Sequence, residues 1–127
     1  MPFRQLLGAL VADVPGARGA IFCDYEGESV DLVVADPQPR GCGPLSVYDL
    51  KVCGAQLTAA WLLLQDRSKE LGAGRLESLR LASDHGTLLC AAAKEGYYLT
   101  LLLAPRAPTA AAAQALAHLA RRFVTEM

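Results

Sequence analysis

The sequence predicts an antiparallel five-stranded sheet with helices on both faces, in the element order α-β-β-α-β-β-β-α. Three observations predict it. Apolar residues recur at helical spacing in three segments, at about 3–13, 46–71 and from 109 onward. Five short strand-like runs lie between them, separated by turns that contain glycine. One of these runs, "YYLTLLLA", is apolar on nearly both faces, as expected of a central strand covered from both sides.

The first helix and the first hairpin are the clearest local patterns. Apolar residues from Phe3 to Val11 follow the i, i+3, i+4, i+7, i+8 spacing of an amphipathic helix, and Pro15 and Gly16 then end it. In "GAIFCDYEGESVDLVVA" we expect strands at about 19–24 and 29–35. The Tyr25–Glu26–Gly27 turn between them offers a glycine for a positive φ.

The middle helix follows the loop "DPQPRGCGPL". Ser46 is a suitable N-cap, with Asp49 at the N3 position and Leu45 and Leu50 at the positions of a hydrophobic staple. The helix is predicted to run to about residue 71, where Gly72 is a natural C′ residue.

The second half of the chain predicts a meander of three strands, at about 75–83, 87–94 and 97–104, and a last helix. Asp84–His85–Gly86 and Lys94–Glu95–Gly96 supply the turns. The polar and apolar alternation of "RLESLRLAS" suits an edge strand. A helix begins after Pro108, and we expect it to share one sheet face with the first helix.

The middle helix carries apolar residues on two sides. At 100° per residue, one stripe forms a natural sheet-facing side, and a second lies around the far side. Each large side chain left in water would forgo roughly 1.5–3 kcal/mol of burial. With alanines in the middle of the second stripe, we infer helix-to-helix packing across a subunit boundary; the alternative is a cover supplied by the same chain. The sheet-facing stripe is Leu50, Cys53, Gly54, Leu57, Trp61, Leu64 and Leu71, and the second stripe is Tyr48, Val52, Ala55, Ala59, Leu62 and Leu63.

Length and composition indicate one globular domain, residues 1–127, with 53% hydrophobic and 20% charged residues. The net charge of −1 gives no electrostatic reason to expect nucleic-acid binding. No apolar run approaches the ~20 residues that cross a bilayer, and the N-terminus lacks the basic leader of a signal peptide. The four cysteines lack metal-ligand spacing and are expected to be reduced, which predicts a cytoplasmic protein.

No pattern in the chain indicates an enzyme, a cofactor site or a metal site. "GCGPLS" and "GAGRLES" lack the spacing and the lysine of a phosphate-binding P-loop. His85 and His118 have no sequence-local Cys or Ser partner that would suggest nucleophilic catalysis. The acidic segment 24–36 does not match a calcium-binding loop, so we interpret it as a solvated hairpin; the alternatives are that it steers a basic partner or holds a cation.

The chain resembles the roadblock/dynein-light-chain domain family over nearly its full length. The resemblance is carried by the hairpin "GARGAIFCDYEG", the Ala/Leu-rich middle helix ending "SKELGAG", and the strands "LESLRLASDHGTLLCAAAKEGYYLTLLLAP". The compact size resembles the prokaryotic, MglB-like partners of Ras-like small GTPases. The resemblance implies a profilin-like sandwich that dimerises through the middle helix and the third strand. The positions that would form the interface are Tyr48, Val52, Ala55, Ala59, Leu62 and Leu63 on the helix, with Leu76, Ser78, Arg80 and Ala82 on the strand.

The function implied by the resemblance is non-enzymatic: a dimer that binds a Ras-like small GTPase and alters its nucleotide cycle or localisation, or scaffolds a complex. Asp66 and Glu70, where the second stripe turns polar, are candidates for partner contacts. A Leu62→Asp variant is then expected to be monomeric and unable to bind the partner. A small-molecule sensor or adaptor with the same topology is the alternative, and it predicts a pocket between sheet and helix. A homodimer is expected, although a heterodimer with a paralogous domain would give the same pattern.

Overall fold

The computed structural model of the protein describes residues 3–94 and 96–126. Glu95, in the middle of one predicted turn, lies outside the described residues. The predicted order of helices and strands is confirmed in full. The elements are α1 (Phe3–Asp13), β1 (Ala17–Asp24), β2 (Ser29–Val34), α2 (Val47–Glu70), β3 (Ser78–Ser83), β4 (Gly86–Lys94), β5 (Tyr97–Leu103) and α3 (Thr109–Glu126).

The five strands form one antiparallel sheet in the spatial order β2-β1-β5-β4-β3. The predicted central position of β5 and edge position of β3 are both confirmed. Successive side chains of a strand point to opposite faces, so the register assigns every strand residue to a face. The row across the sheet that defines the α2 face is Leu79, Cys90, Thr100, Ile21 and Leu32.

The other face of the sheet carries the main core, which α1 and α3 cover together as predicted. Phe22 of β1 lies at its centre. Its ring centroid is 5.1 Å from that of Phe3 in α1, 4.8 Å from that of Phe123 in α3 and 5.8 Å from that of Tyr97 in β5. Such aromatic contacts add to the burial of large apolar side chains, so this cluster ties both terminal helices to the sheet.

The predicted start of α2 is also confirmed. Ser46 is the N-cap, and its Oγ accepts a hydrogen bond from the Asp49 amide at 3.0 Å. Leu45 and Leu50, predicted as a hydrophobic staple, both lie over Gly19 of β1. A Cβ on Gly19 would be 3.1 Å from a Leu45 methyl carbon and 3.2 Å from a Leu50 methyl carbon, so glycine allows this close approach of helix and strand.

The loop before α2 is attached to the start of β1 through Gln38. The Gln38 amide donates to the carbonyl oxygens of Arg18 and Ala35, and its Oε1 accepts from Arg18 Nε at 2.8 Å. The Arg18 guanidinium also donates to the Gly43 carbonyl. The Asp36–Pro37 peptide bond in this loop is cis. These bonds fix the loop that delivers the chain from β2 to the start of α2.

The third strand begins later than predicted, at Ser78 instead of residue 75. After α2, Gly72 has a φ of 73°, the left-handed conformation expected of a C′ glycine. The Leu76 amide then donates to Gln65 Oε1 at 3.0 Å. Residues 75–77 therefore attach to the helix before the chain joins the sheet, because the hydrogen bond of Leu76 goes to a side chain of α2.

Candidate interaction surface on the middle helix

The buried side of α2 is narrower than the predicted sheet-facing stripe. Its buried residues are Leu50, Gly54, Leu57, Thr58 and Trp61. Of the predicted stripe, Leu64 is 41% exposed and Leu71 is 83% exposed. At 100° per residue these two lie about 70° and 90° from the line between Gly54 and Trp61. The prediction for Leu64 and Leu71 is therefore wrong, since the stripe drifts off the sheet toward one flank.

The two flanks of α2 lie over different ends of the strands. Ala55 lies beside the β1–β2 turn, where a Cβ on Gly27 would be 3.2 Å from Ala55 Cα. Cys53 lies nearly opposite Ala55 around the helix, on the side away from this turn. We name three surfaces from these positions. They are the hairpin-side flank (Ala55, Leu62), the β3-side flank (Cys53, Ala60, Leu64, Arg67, Leu71) and the outer face (Tyr48, Val52, Ala59, Leu63, Asp66, Glu70).

The outer face of α2 is covered by none of the described elements, because α1 and α3 lie on the opposite side of the sheet. Tyr48 is 74% exposed and Leu63 is 59% exposed. The alternative in which the last helix of the same chain shelters the second stripe is therefore rejected for the described residues. Exposed single leucines are ordinary, but an uncovered strip that runs from Tyr48 through Val52 and Ala59 to Leu63 indicates an interaction surface.

A second partly uncovered apolar area lies on the α2 face of the sheet, beside the β3-side flank. It consists of Leu81, Leu88 and Leu102, which are neighbours in register across β3, β4 and β5. Leu81 is 46% exposed, and Leu88 and Leu102 are half-buried. We call these three residues the sheet patch. It lies at the strand ends remote from the Gly27 turn, so the helix and the sheet form an open apolar corner there.

Solved structures of known proteins share this architecture, although the sequence matches no family model and no curated protein. A Roadblock/LC7 domain from Streptomyces avermitilis is similar with a TM-score of 0.82 and 18% identity, over 96% of this chain and 94% of that one. MglC from Myxococcus xanthus has a TM-score of 0.71 and 21% identity, over the whole of both chains. The gliding protein MglB from Thermus thermophilus also has a TM-score of 0.71 and 21% identity, over 94% of this chain and 88% of that one.

The chain has the roadblock/LC7 fold. These identities are all below 25%, so the likeness establishes the architecture alone. The resemblance stated from the sequence is confirmed at this level, including the five-stranded sheet between one helix and a pair of helices.

Within the roadblock/LC7 fold, the predicted interface residues do not share one surface. Ser78, Arg80 and Ala82 pair with Ala91, Leu89 and Thr87 of β4, and Leu89 and Ala91 belong to the core under α3. The side chains of these three residues therefore face away from α2. Those of Leu79 and Leu81, which sequence reasoning did not select, share the α2 face. Alternation along the strand separates the residues of β3 into these two sets. Only the position of α2 on the sheet shows which set lies on the α2 face.

The predicted helix positions are divided in the same way. Tyr48, Val52, Ala59 and Leu63 lie on the outer face, whereas Ala55 and Leu62 lie on the hairpin-side flank. Leu76 packs against the cluster around Trp61 and is partly buried.

The two acidic candidates for partner contacts lie near the end of α2 and differ in their surroundings. Glu70 is exposed, and its carboxylate is 2.8 Å from Arg67 one turn earlier. Asp66 lines a cleft of about 510 Å³ between the hairpin-side flank and the ends of β4 and β5. Trp61 and Tyr98 lie in the wall of this cleft, with Lys69 nearby. The cleft is the pocket that the sensor alternative requires.

Cys23 and Cys90 lie on strands beneath α2, and Cys53 lies on α2 itself. Burial raises the pKa of Cys23 and of Cys90 from 9.0 to about 11 each, and it also raises the pKa of Cys53. A thiol with a raised pKa is protonated at neutral pH and is a poor nucleophile or metal ligand. The described residues hold no cluster of three or more His, Cys, Asp or Glu placed to bind a metal ion.

The raised thiol pKa values predict that stability falls at alkaline pH. Between pH 9 and 11 the folded protein keeps protons that the unfolded chain releases, so the free energy of unfolding decreases as pH rises through this window. A difference of one unit between the folded and the unfolded pKa of a group changes the free energy of unfolding by up to about 1.4 kcal/mol. Urea denaturation at pH 8 and pH 10.5 measures the change. A Cys23→Ala/Cys90→Ala variant is expected to lose less stability across the interval, and an equal loss would contradict the assignment.

In residues 3–94 and 96–126, no helix combines the length and apolar character needed to cross a membrane.

Proposed function

We propose that the chain is a non-enzymatic, dimeric regulator or scaffold that binds a Ras-like small GTPase. The proposal is supported by the roadblock/LC7 fold and by the likeness to MglB and MglC structures. The single observation that carries it concerns α2. Its outer face and its β3-side flank both carry exposed apolar residues, and no described element of the chain covers them. In this proposal the β3-side flank forms the homodimer contact, and the outer face binds the GTPase.

The dimer contact is best placed on the β3 side. β3 is the more exposed of the two edge strands, so its outer backbone groups are free to pair with the β3 of a second copy. Antiparallel pairing there would join the sheets and bring the two β3-side flanks together over the sheet patches. Ala60 lies in the middle of the flank, and its small side chain permits close helix approach, while Leu64 and Leu81 supply apolar area. In this arrangement Leu64 and Leu81 become buried.

The outer face remains exposed in such a dimer, and we assign it to the GTPase. It presents Tyr48, Ala59 and Leu63 in one strip, with Asp66 and Glu70 at the end. Aromatic and apolar anchors with charged residues at the margin are the composition of a transient protein interface.

Leu63→Asp tests this assignment. The variant is expected to remain a folded dimer but to lose at least about tenfold in affinity for the GTPase, because a carboxylate would replace a central apolar contact. Calorimetry with the Ras-like GTPases of the same genome, each loaded with GDP or with a GTP analogue, gives the affinity. Val30→Asp, on the edge strand β2 and similarly exposed, is the matched control. Unchanged affinity in Leu63→Asp with every GTPase that binds the wild type would remove the outer face from the proposal.

The second candidate function, a small-molecule sensor or adaptor, is favoured by the cleft beside Asp66. Its wall contains Trp61, the only tryptophan of the chain, whose ring lies 5.2 Å from that of Tyr98. A ligand in the cleft is therefore expected to change the tryptophan fluorescence and raise the melting temperature together. A metabolite screen read by both signals separates this function from GTPase binding, which the Leu63→Asp measurement reports.

A further inference from the structure

We infer that the side of the sheet covered by α3 carries a docking groove for an acidic amphipathic helix of a partner protein. The groove runs between α3 and β3, on the opposite face from α2. Two adjoining cavities of about 330 Å³ each form it, and they share Glu77, Ala91 and Ala117. We call it the α3 groove.

Small apolar residues line the helix wall of the α3 groove, where Ala113 is exposed and Ala117 is half-buried. Leu89, Ala91 and Ala93 of β4 form its floor but are already buried beneath α3, so the surface open to a partner is the helix wall together with the exposed face of β3. Small side chains on the wall leave space for another helix to approach closely. Along α3 the lining extends from Thr109 to Val124, which is about 22 Å at 1.5 Å per residue. A partner helix of about four turns therefore fits its length.

The charges around the α3 groove favour an acidic occupant. Arg75, Arg80 and Arg121 line it, and among the described residues Glu77 is the one acid in the lining. The ion pairs between described residues are Arg4–Asp31, Arg67–Glu70 and His85–Asp84, so the three arginines are left without a carboxylate partner in the described part of the chain. Rim arginines of this kind attract a partner of opposite charge and select against a basic one.

The backbone hydrogen bonding of the floor indicates that the occupant is a helix. β4 is paired with β3 on one side and β5 on the other, so an extended segment lying on the floor would find no backbone partners there. A helix satisfies its own backbone groups, and it can lay an apolar stripe along the alanine wall of α3 while its acidic residues meet the rim arginines.

The test uses three labelled synthetic peptides of 15 residues and the full-length protein. The first has leucines at i, i+3, i+4 and i+7 and glutamates elsewhere, the second has lysines in place of the glutamates, and the third has the first composition scrambled to remove the stripe. Fluorescence anisotropy is expected to show at least tenfold tighter binding of the first peptide, weakening with salt. Its helical circular dichroism should increase on binding, and the amide NMR shifts should change at Ala91 and Ala117.

Two variants locate the site. Arg80→Glu/Arg121→Glu is expected to reduce binding of the acidic peptide by at least tenfold and to reverse the preference toward the lysine peptide. Arg40→Glu/Lys51→Glu makes the same change of charge at exposed positions outside the groove and should leave binding unchanged. Ala117→Trp, which fills the groove, should abolish binding while the melting temperature reports whether the fold is intact. Equal binding of the acidic and lysine peptides, absence of binding, or shifts confined to α2 would each overturn the proposal.

Discussion

Replacing Leu64 with aspartate is expected to convert the proposed dimer into a folded monomer. Leu64 is 41% exposed in the single chain, so the carboxylate can stay hydrated there and the fold should persist. In the dimer proposed above, the same position lies against the second copy beside the sheet patch. Burying an unpaired carboxylate at such a contact costs about 3 kcal/mol or more, which weakens association at least about 100-fold. Light scattering over a concentration series measures the mass directly.

Leu62→Asp is the matched control for Leu64→Asp. The two leucines are equally exposed, at 41% each, but lie on opposite flanks of the helix. The sequence alone predicted Leu62 as the dimer position. The structure places it beside the cleft near Tyr25, so we expect Leu62→Asp to remain dimeric. Dissociation by Leu62→Asp and not by Leu64→Asp would show that the dimer uses the hairpin-side flank, and a monomeric wild type would remove the dimer altogether.

Phe22→Ala is expected to have the largest effect on stability. The Phe22 ring contacts Phe3, Tyr97 and Phe123, and these contacts join both terminal helices to the sheet. Removing a buried phenylalanine leaves a cavity and typically costs about 3–5 kcal/mol, a large part of the total stability of a domain of this size. The free energy of unfolding should be compared by urea denaturation at one protein concentration, because self-association would add to the apparent stability.

Tyr25→Ala supplies the comparison for Phe22→Ala. Tyr25 is an aromatic residue three positions further along the chain, but it is exposed in the hairpin turn. Surface substitutions of this kind usually change stability by about 0.5 kcal/mol or less. A similar loss in both variants would mean that Phe22 does not occupy the core position described here.

Local signals in the sequence predicted most of the elements because local chemistry decides them. Ser46 caps α2 through a hydrogen bond to a residue three positions away, and Gly72 ends it with a positive φ. The late start of β3 was missed because Leu76 bonds to Gln65, eleven residues earlier, and no local pattern reveals such a pairing. The α3 groove was missed for a similar reason, since Arg75, Arg80 and Arg121 come together only through the packing of α3 on the sheet.

The sequence by itself determined the order of elements, the edge position of β3, the central position of β5 and the presence of a helix with apolar residues on two sides. Periodicity carries this information, because side-chain direction repeats every 3.6 residues in a helix and every two in a strand. Only the tertiary structure decided which residues of α2 and β3 face the sheet, a neighbouring element or solvent. It turned Leu64 and Leu71 away from the sheet, separated Leu62 from Leu63, and placed Leu81 instead of Arg80 on the α2 face. The physical reason is that periodicity fixes angles within one element, whereas the orientation of that element on its neighbours is set by long-range contacts such as Gly54 on Cys23 and Ala55 on Gly27.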